Sequence, residues 1–286
     1  MFLVLVHLKF WLDKMLSFNR IGNLGRLANQ MFQYSSLKGI ATNTGQEWMI
    51  SEVRTFGQDD LNVRNTPHNI YTVFPAIKSL DGTEKVGHSD FKLYAEQTHN
   101  FDENLFNNCP KDVDLFGYYQ SPKYFENIED ELRKDFKFNE EVVGECQHMF
   151  DALEIISSDF IALHIRRGDY VYNPNHPVQP IEYYKKALEQ MPKDLPVIVF
   201  SDDSNWCRNH EFFEDDRFMI SEDNEDHYDL CLMSMCGYHI IANSSFSWWG
   251  AWLAKSKKVI APKDWFGADC VYKDVKDMEF GNWSWL

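Results

Sequence analysis

The chain has 286 residues, of which 44% are hydrophobic and 25% are charged, and its formal net charge is −16 at pH 7. This composition is typical of a folded protein with one large core or two cores of ordinary size. The negative charge argues against general binding to nucleic acid or to an anionic membrane, because both require a basic surface.

The chain begins with an apolar extension, MFLVLVHLKFWLDK, at residues 1–14. His7 and Lys9 interrupt the apolar run, which is far shorter than a membrane-spanning helix and lacks the features of a signal peptide. We interpret it as an extension before the first domain, with an extra strand or a helix lying weakly on a membrane surface as the alternatives. The six cysteines contain no CxxC pair, which indicates reduced thiols and a cytoplasmic protein, peripheral to a membrane if the extension binds one.

The first predicted α/β unit covers residues 15–45. It consists of a short strand, a glycine-rich turn at Gly22 and Gly25, and a helix whose apolar residues recur at helical spacing until the sequence NTG stops it. Residues 46–125 show little periodicity. A second helix is predicted at 121–138, where a serine and a proline mark its start.

Strands and helices alternate regularly in the second half of the chain. The predicted strands are 160–166, 196–203, 238–242 and 258–261, and the predicted helices are 181–191, 226–236 and 247–255. Such alternation with short connections indicates βαβ units and a parallel sheet. We therefore predict an α/β protein with two Rossmann-like halves that meet near residue 150.

Charged residues follow the first strand of this second half. The apolar run 160–166 carries His164 and Arg166 on one side. Arg167 points to the other side unless the chain has already turned out of the strand, because side chains alternate along a strand. The carboxyl edge of a parallel sheet is where α/β folds bind ligands, and the planar fork of arginine fits a diphosphate. The alternative is an ion pair with Asp169 and no ligand.

Two further segments place polar residues at the ends of strands. Asp202 and Asp203 in FSDD are predicted to accept hydrogen bonds from a ribose or a base, with a helix N-cap as the alternative. In ANSSFSWWGAWL, Ser247 opens a helix whose N-terminal N–H groups suit an anion, while Trp248 and Trp249 are assigned to the core. The two adjacent carboxylates are not expected to face one metal ion, so a metal site is not predicted.

The segments GRLANQMFQYSSL, HIRRGDY, FSDDSNW and ANSSFSWWGAWL together resemble the motifs of the α-1,2-fucosyltransferase family, glycosyltransferase family 11. They occur in that family's order and span residues 22–254. The resemblance implies a GT-B-like fold of two Rossmann-type domains that face each other across a cleft. The N-terminal, acceptor-side domain would cover residues 1–150, with 1–14 unmatched, and the C-terminal domain at 151–286 would bind a GDP-sugar.

The resemblance also implies the reaction. Such an enzyme moves L-fucose from GDP-β-L-fucose to O2 of a terminal β-galactoside, inverts the anomeric centre to form an α-1,2 linkage, and requires no metal or other cofactor. Its partners would be GDP-fucose and a galactoside glycan, and no nucleic acid. Two alternatives stay open: another GDP-fucose-dependent GT-B transferase, of the α-1,6 or protein O-fucosyl type, and a non-catalytic protein that binds GDP or carbohydrate.

Residue roles follow from the matched motifs. Arg166 and Arg167 would hold the diphosphate and neutralise the charge that grows on the leaving β-phosphate. Asp169 and His176, in the loop after the arginines, are both candidates for the general base. The residues expected to bind the donor are His164, Asp202, Asp203, Ser244, Ser245, Phe246 and Ser247.

The N-terminal motif contributes two acceptor-side residues, Asn29 and Gln30, which would face the sugar. Ala28 stands where the family's usual GRLGNQ has a glycine, and alanine does not tolerate a positive φ there. The region 46–110 lacks a matching motif, so the resemblance leaves the identity of the acceptor open.

Overall fold

A computed structural model of the protein describes residues 15–50, 69–77, 91–222, 224–268, 270 and 275–286. The apolar extension at 1–14, with its predicted membrane alternative, lies outside the described residues. Within these ranges, no helix has both the length and the apolar character needed to cross a membrane.

The chain forms two compact units. The first contains the residues up to Lys137 together with Lys276–Met278, and the second contains Phe138–Val275 and Glu279–Leu286. The division thus precedes the expected one at residue 150, because the helix Glu140–Ala152 buries Cys146 and Phe150 in the core of the second unit.

The first unit is built on a four-stranded parallel sheet with the strand order β2-β1-β4-β3. Its strands are β1 (Met15–Phe18), β2 (Glu47–Ile50), β3 (Lys92–Ala95) and β4 (Val113–Phe116). Its helices are α1 (Leu27–Thr44), α2 (Ile70–Val73), α3 (Glu103–Asn108) and α4 (Glu129–Asp135). The predicted strand, turn and helix at 15–45 are confirmed, and α1 ends where Gly45 adopts a left-handed φ of 63°.

The predicted helix at 121–138 is only partly formed. Two 3₁₀ turns, Pro122–Tyr124 and Glu126–Ile128, precede the shorter helix α4. Phe125 separates the two turns with a φ of −142°, and its buried ring packs 6.0 Å from the ring of Phe32. Tertiary packing of this aromatic side chain therefore overrides the local preference for a continuous helix.

The C-terminal segment returns to the first unit before it completes the second. Asp277 accepts a hydrogen bond from the backbone N–H of Phe101 at 3.0 Å and forms an ion pair with Lys123. Asp277 is 5% exposed, whereas the Lys123 side chain is partly exposed, so the ion pair lies at the edge of the first unit's interior. A few residues further on, the chain ends as an edge strand of the sheet in the second unit.

The second unit has a six-stranded parallel sheet with the order β10-β9-β8-β5-β6-β7. Its strands are β5 (Ile161–Ile165), β6 (Val197–Ser201), β7 (Phe218–Ile220), β8 (Tyr238–Ile240), β9 (Lys258–Ala261) and β10 (Ser284–Trp285). Its helices are α5 (Glu140–Ala152), α6 (Ile181–Glu189), α7 (Ser204–Arg208), α8 (Asp226–Met235) and α9 (Ser245–Leu253). The predicted alternation of strands and helices is confirmed.

The central strand β5 is buried on both faces. Ile161, Leu163 and Ile165 pack into one apolar cluster, while Ala162 packs into the cluster on the opposite face. Strands β6 and β7 follow on one side of β5, and β8, β9 and β10 on the other, so the strand order reverses between β5 and β8. In open α/β sheets, the carboxyl ends of the strands at such a reversal form the ligand-binding crevice.

Trp248 belongs to the core of the second unit, as expected from the sequence. Its side chain is 0% exposed, and its ring centroid lies 5.0 Å from that of Trp249 and 5.3 Å from that of Trp283. We predict that Trp248→Ala lowers the free energy of unfolding by about 3–5 kcal/mol, because it leaves a large cavity. Urea unfolding followed by circular dichroism measures this loss.

Tyr172→Ala is the matched control, since the Tyr172 side chain is 91% exposed. The free energy of unfolding of this variant should lie within about 0.5 kcal/mol of that of the parent. Equal stability of the Trp248→Ala variant and the parent would contradict the core assignment.

Candidate active site

The candidate site lies at the carboxyl ends of β5, β6 and β8 in the second unit. The parallel register of β5 and β6 aligns Ile165 with Ser201, so the residues that follow these two strands emerge side by side. The segment after β8 leads directly into α9. The three polar segments found in the sequence therefore meet at the reversal of strand order.

Arg166 is held by two carboxylates. Its guanidinium forms ion pairs with Asp169 and, at 3.0 Å between Nη1 and Oδ2, with Asp202. It also lies over the ring of Tyr170, with 4.9 Å from Cζ to the ring centroid. Its Nε atom is buried and has no hydrogen-bond partner among the described residues. Buried donors in native proteins are normally paired, so this Nε calls for a partner such as a bound water or a ligand oxygen.

Arg167 has side-chain partners different from those of Arg166, as the alternation along β5 predicts. Its Nε lies 3.1 Å from Oδ2 of Asp203, and its guanidinium stacks on Trp206 with 3.9 Å from Cζ to the ring centroid. Its backbone N–H donates to Oδ1 of Asp202 at 2.9 Å. Both arginines therefore contact the segment Asp202–Asp203, but Arg166 lies over Tyr170 and Arg167 over Trp206.

The two aspartates after β6 have contacts within the protein. Asp203 caps α7 by accepting a hydrogen bond from the N–H of Trp206 at 3.1 Å, so the N-cap alternative is found for this residue. Asp202 packs against Gly168, where a Cβ atom would overlap the Asp202 carboxylate. A side chain at position 168 would therefore displace the Asp202 carboxylate that holds Arg166. Contact of either aspartate with a nucleotide stays a prediction.

His164 is a buried, neutral part of the site. It is 5% exposed, and its Nδ1 lies 2.9 Å from Oγ of Ser247 in the first turns of α9. Its ring centroid is 5.7 Å from that of Phe246. Burial and, to a smaller extent, the charge of Arg166 lower the pKa of His164 to about 3. At neutral pH this imidazole therefore carries no charge and cannot act as a general acid.

The other predicted donor residues surround the start of α9. Ser244 is the N-cap, and its Oγ accepts a hydrogen bond from the N–H of Phe246 at 3.3 Å. Ser244 and Ser247 are buried, whereas Ser245 and Phe246 are partly exposed. The structure thus brings these residues and His164 together at the amino end of one helix, where backbone N–H groups favour an anion.

The two candidate bases differ in their surroundings. Asp169 is exposed and forms an ion pair with Arg166. His176 stacks on Tyr170 with 5.2 Å between centroids and an interplanar angle of 23°. Its Nδ1 is buried and without a hydrogen-bond partner in the described part of the chain. Burial lowers the pKa of His176, the charge of Arg166 lowers it further and Asp169 opposes the shift, so His176 is neutral and able to accept a proton.

Asn29 and Gln30 lie in the first unit, in the first turn of α1. Oδ1 of Asn29 accepts a hydrogen bond from Nε2 of Gln120 at 2.7 Å. Gln30 is 4% exposed, and its Oε1 accepts from the N–H of Ile70 at 3.3 Å. Gln30 therefore joins α1 to the start of α2, and contact of either side chain with a sugar stays a prediction.

Sequence reasoning missed Glu96, which follows β3 directly. Its two carboxylate oxygens accept the backbone N–H groups of Tyr118 at 2.7 Å and Tyr119 at 3.0 Å. Burial raises the pKa of Glu96 to about 7, although these two hydrogen bonds lower it in part. The sequence signal for Glu96 is a polar residue immediately after a strand, but residues 46–110 contain no motif that matches the family.

Tyr170 and Trp206 were also missed, although both support an arginine of the site. Tyr170 lies within the quoted motif HIRRGDY and Trp206 within FSDDSNW, and the turn after β6 brings Trp206 to Arg167. Among the described residues, no three histidine, cysteine, aspartate or glutamate side chains form a group that could hold a metal ion.

Comparison with known proteins agrees with this architecture and with the motifs. The solved structure of the α-1,6-fucosyltransferase NodZ crystallised with GDP aligns with a TM-score of 0.51 and 12% identity over 86% of this chain and 94% of NodZ. That of POFUT1 with GDP aligns with a TM-score of 0.52 and 14% identity over 86% of this chain and 95% of that one. Similarity at this level concerns the fold alone, and the predicted GT-B-like α/β class is confirmed.

Three relatives are similar in sequence. The O-antigen biosynthesis glycosyltransferase WbnK of Escherichia coli is 30% identical over 92% of this chain and 97% of its own length. An α-1,2-colitosyltransferase of Escherichia coli is 30% identical over 85% of this chain and 90% of its own length. The galactoside α-(1,2)-fucosyltransferase 2 of Rattus norvegicus is 26% identical over 82% of this chain and 66% of its own length. The family model described as glycosyl transferase family 11 matches residues 6–286, and the chain therefore belongs to glycosyltransferase family 11.

Proposed function

We propose that the chain is an inverting galactoside α-1,2-fucosyltransferase, which moves L-fucose from GDP-β-L-fucose to O2 of a terminal β-galactoside. The observation that carries the proposal is Arg166, which the Asp202 carboxylate holds at the reversal of strand order and whose buried Nε has no hydrogen-bond partner among the described residues. The relative from Rattus norvegicus, named a galactoside α-(1,2)-fucosyltransferase, supports the choice of fucose and of the linkage.

A second donor is supported by the α-1,2-colitosyltransferase relative, which is 30% identical to this chain. Colitose is fucose without its 3-hydroxyl group. Both sugars can be carried by the same GDP leaving group and can form the same linkage. The candidates therefore differ at one hydroxyl of the donor, and the site described above concerns the GDP part that they share.

The proposed chemistry is a displacement at C1 of the donor sugar. The bond between C1 and the β-phosphate oxygen breaks, its electron pair leaves with GDP, and O2 of galactose forms the new bond from the opposite face. Arg166 and the N–H groups of α9 would stabilise the charge on the leaving phosphate, which is the part that a metal ion plays in other transferases. We propose on this basis that transfer needs no metal.

We propose His176 as the general base that takes the proton of the attacking hydroxyl. Its buried Nδ1 has no hydrogen-bond partner among the described residues, and its pKa is lowered by burial, so the ring is unprotonated at neutral pH. Asp169 is already engaged with Arg166, and we assign it to the orientation of that guanidinium.

The first experiment is a turnover assay in EDTA with lactose and either GDP-fucose or GDP-colitose, with the linkage read by NMR. A 2′-linked α-fucoside is the expected product. Preferential use of GDP-colitose would move the assignment to the second donor. Transfer to another position or to a protein acceptor would favour the α-1,6 or O-fucosyl alternative. GDP binding without consumption of either donor would favour a non-catalytic protein.

The two arginines are predicted to respond differently to substitution. Arg166→Lys should lower kcat by about 10²–10³-fold, because lysine cannot replace the fork that reaches the leaving phosphate. Arg167→Lys should have a smaller effect on kcat and a larger effect on thermal stability, because Arg167 is stacked on Trp206 and paired with Asp203. Steady-state kinetics, GDP titration calorimetry and thermal unfolding of both variants provide the comparison. Equal losses of kcat at equal stability would assign both guanidiniums to the leaving phosphate.

The pH dependence of kcat tests the assignment of His176. Because its pKa lies below the ordinary histidine value of about 6.5, kcat should be constant near neutral pH and fall only as the solution becomes more acidic than that value. His176→Gln should lower kcat by about 10²–10⁴-fold and remove the acid limb. Asp169→Asn is the control and should retain that limb. An unchanged acid limb in the His176→Gln variant would place the base elsewhere.

A further inference from the structure

Asn243 makes three hydrogen bonds that tie separate segments of the second unit together. It follows β8 by a few residues and is 1% exposed. Its backbone carbonyl accepts the hydroxyl of Tyr170 at 3.2 Å. Its side-chain Nδ2 donates to the carbonyl of Pro177 at 3.0 Å and to the carbonyl of Trp265 at 3.0 Å. One buried residue thus uses both donors of its amide and its own carbonyl on three partners.

These three partners lead to three aromatic rings that contact one another in series, those of Tyr170, His176 and Phe266. Tyr170 is itself the first ring. His176 precedes Pro177 and stacks on Tyr170 at 5.2 Å, and Phe266 follows Trp265, with its centroid 5.7 Å from that of His176. Asn243 therefore binds the Tyr170 ring through its hydroxyl and the backbone next to His176 and Phe266 through the carbonyls of Pro177 and Trp265.

The series ends at the charged group of the site. The guanidinium of Arg166 lies over the Tyr170 ring at 4.9 Å, on which His176 also stacks. Tyr170 therefore contacts both the arginine proposed for the leaving phosphate and the histidine proposed for the attacking hydroxyl. A displacement of the ring by 1 Å changes the geometry of both groups, and errors of that size cost up to about 10²-fold in rate.

The side chain at position 243 must supply two donors on one planar group. The two acceptors are carbonyl oxygens of different loops, and Oδ1 of Asn243 has no hydrogen-bond partner within the described ranges. Aspartate has the same shape but would present an oxygen to two carbonyls. Alanine would remove both hydrogen bonds and leave the buried Trp265 carbonyl without this donor.

We propose that Asn243 is a positioning residue for transfer: it sets the Tyr170–His176 stack, and through it the orientation of the Arg166 guanidinium and the His176 ring. This inference rests on the proposed function, because His176 and Arg166 act there as base and phosphate ligand. Asn243 itself is assigned no contact with the substrates.

The chain offers a matched control in Gln179. Its side chain is 6% exposed, and its Nε2 donates at 2.7 Å to the carbonyl of Asp264, next to Trp265. Gln179 thus ties together the same two loops as the amide of Asn243. It has no described contact with Tyr170, His176 or Arg166, so its loss should affect stability and leave the aromatic series in place.

The kinetic test compares Asn243→Ala with Gln179→Ala and with the parent. We expect Asn243→Ala to lower kcat by about 10–100-fold with a change in KM for GDP-fucose of less than about threefold, because Arg166 keeps its ion pairs with Asp169 and Asp202. Gln179→Ala should retain kcat within about threefold at a comparable loss of melting temperature. Equal losses of kcat in the two variants would overturn the proposal and leave Asn243 a purely structural residue.

The second measurement does not depend on activity. NMR titration of His176, in protein labelled at histidine, reports the surroundings of its ring in the parent and in both variants. In Asn243→Ala the ring should become more exposed and titrate closer to the ordinary histidine value of about 6.5, whereas in Gln179→Ala it should titrate as in the parent. Tyr170→Phe keeps the ring but removes its bond to Asn243, and should give an intermediate value.

The two measurements also separate this inference from the proposed function. If the parent transfers neither fucose nor colitose, the proposed function fails, and the His176 titration alone decides whether Asn243 sets the stack. If the parent is active and His176 titrates identically in the parent and in Asn243→Ala, the positioning role is wrong while the proposed function stands.

Discussion

The pairing of two arginines with three aspartates at the end of β5 is the interaction on which the candidate site depends. Arg166 and Arg167 follow β5 directly and have separate partners: Arg166 is held by Asp169, Asp202 and the Tyr170 ring, and Arg167 by Asp203 and the Trp206 ring. Asp202 serves both, through the Arg166 guanidinium and the Arg167 backbone N–H. Because guanidinium groups held in this way need little reorganisation, a diphosphate would meet a site whose positive charges are already oriented.

The sheet explains why these charges can be concentrated at one place. Parallel strands put all their carboxyl ends at the same edge, and the reversal between β5 and β8 opens a crevice there. The charged residues stand just beyond β5, whose five residues are all buried, so the apolar clusters on both faces anchor the chain immediately before it turns outward. The buried residues that stabilise the sheet and the charged residues of the site are therefore only one or two positions apart along the chain.

Much of this site can be predicted from local pattern, because strand alternation is a local property. The separate side-chain partners of Arg166 and Arg167 follow from it, and so does the meeting of the three polar segments at one edge of the sheet. The contacts of Asn243 could not be predicted, since they join residues 66 positions apart in one case and depend on how two loops fold back. The anchoring of Glu96 to the turn at Tyr118 is of the same kind. The sequence also does not assign α5 to either unit, whereas in the structure its residues Cys146 and Phe150 pack into the core of the second.

The return of the chain at Asp277 makes each unit discontinuous in sequence. Asp277, itself buried, contacts Phe101 and Lys123 in the first unit, while the residues after Met278 finish the sheet of the second. A chimera with another family member that exchanged everything after Lys137 would therefore import a foreign residue into the first unit's interior. Recombination between relatives of this protein should keep residues 276–278 with the N-terminal parent, even though they lie close to the opposite end of the chain.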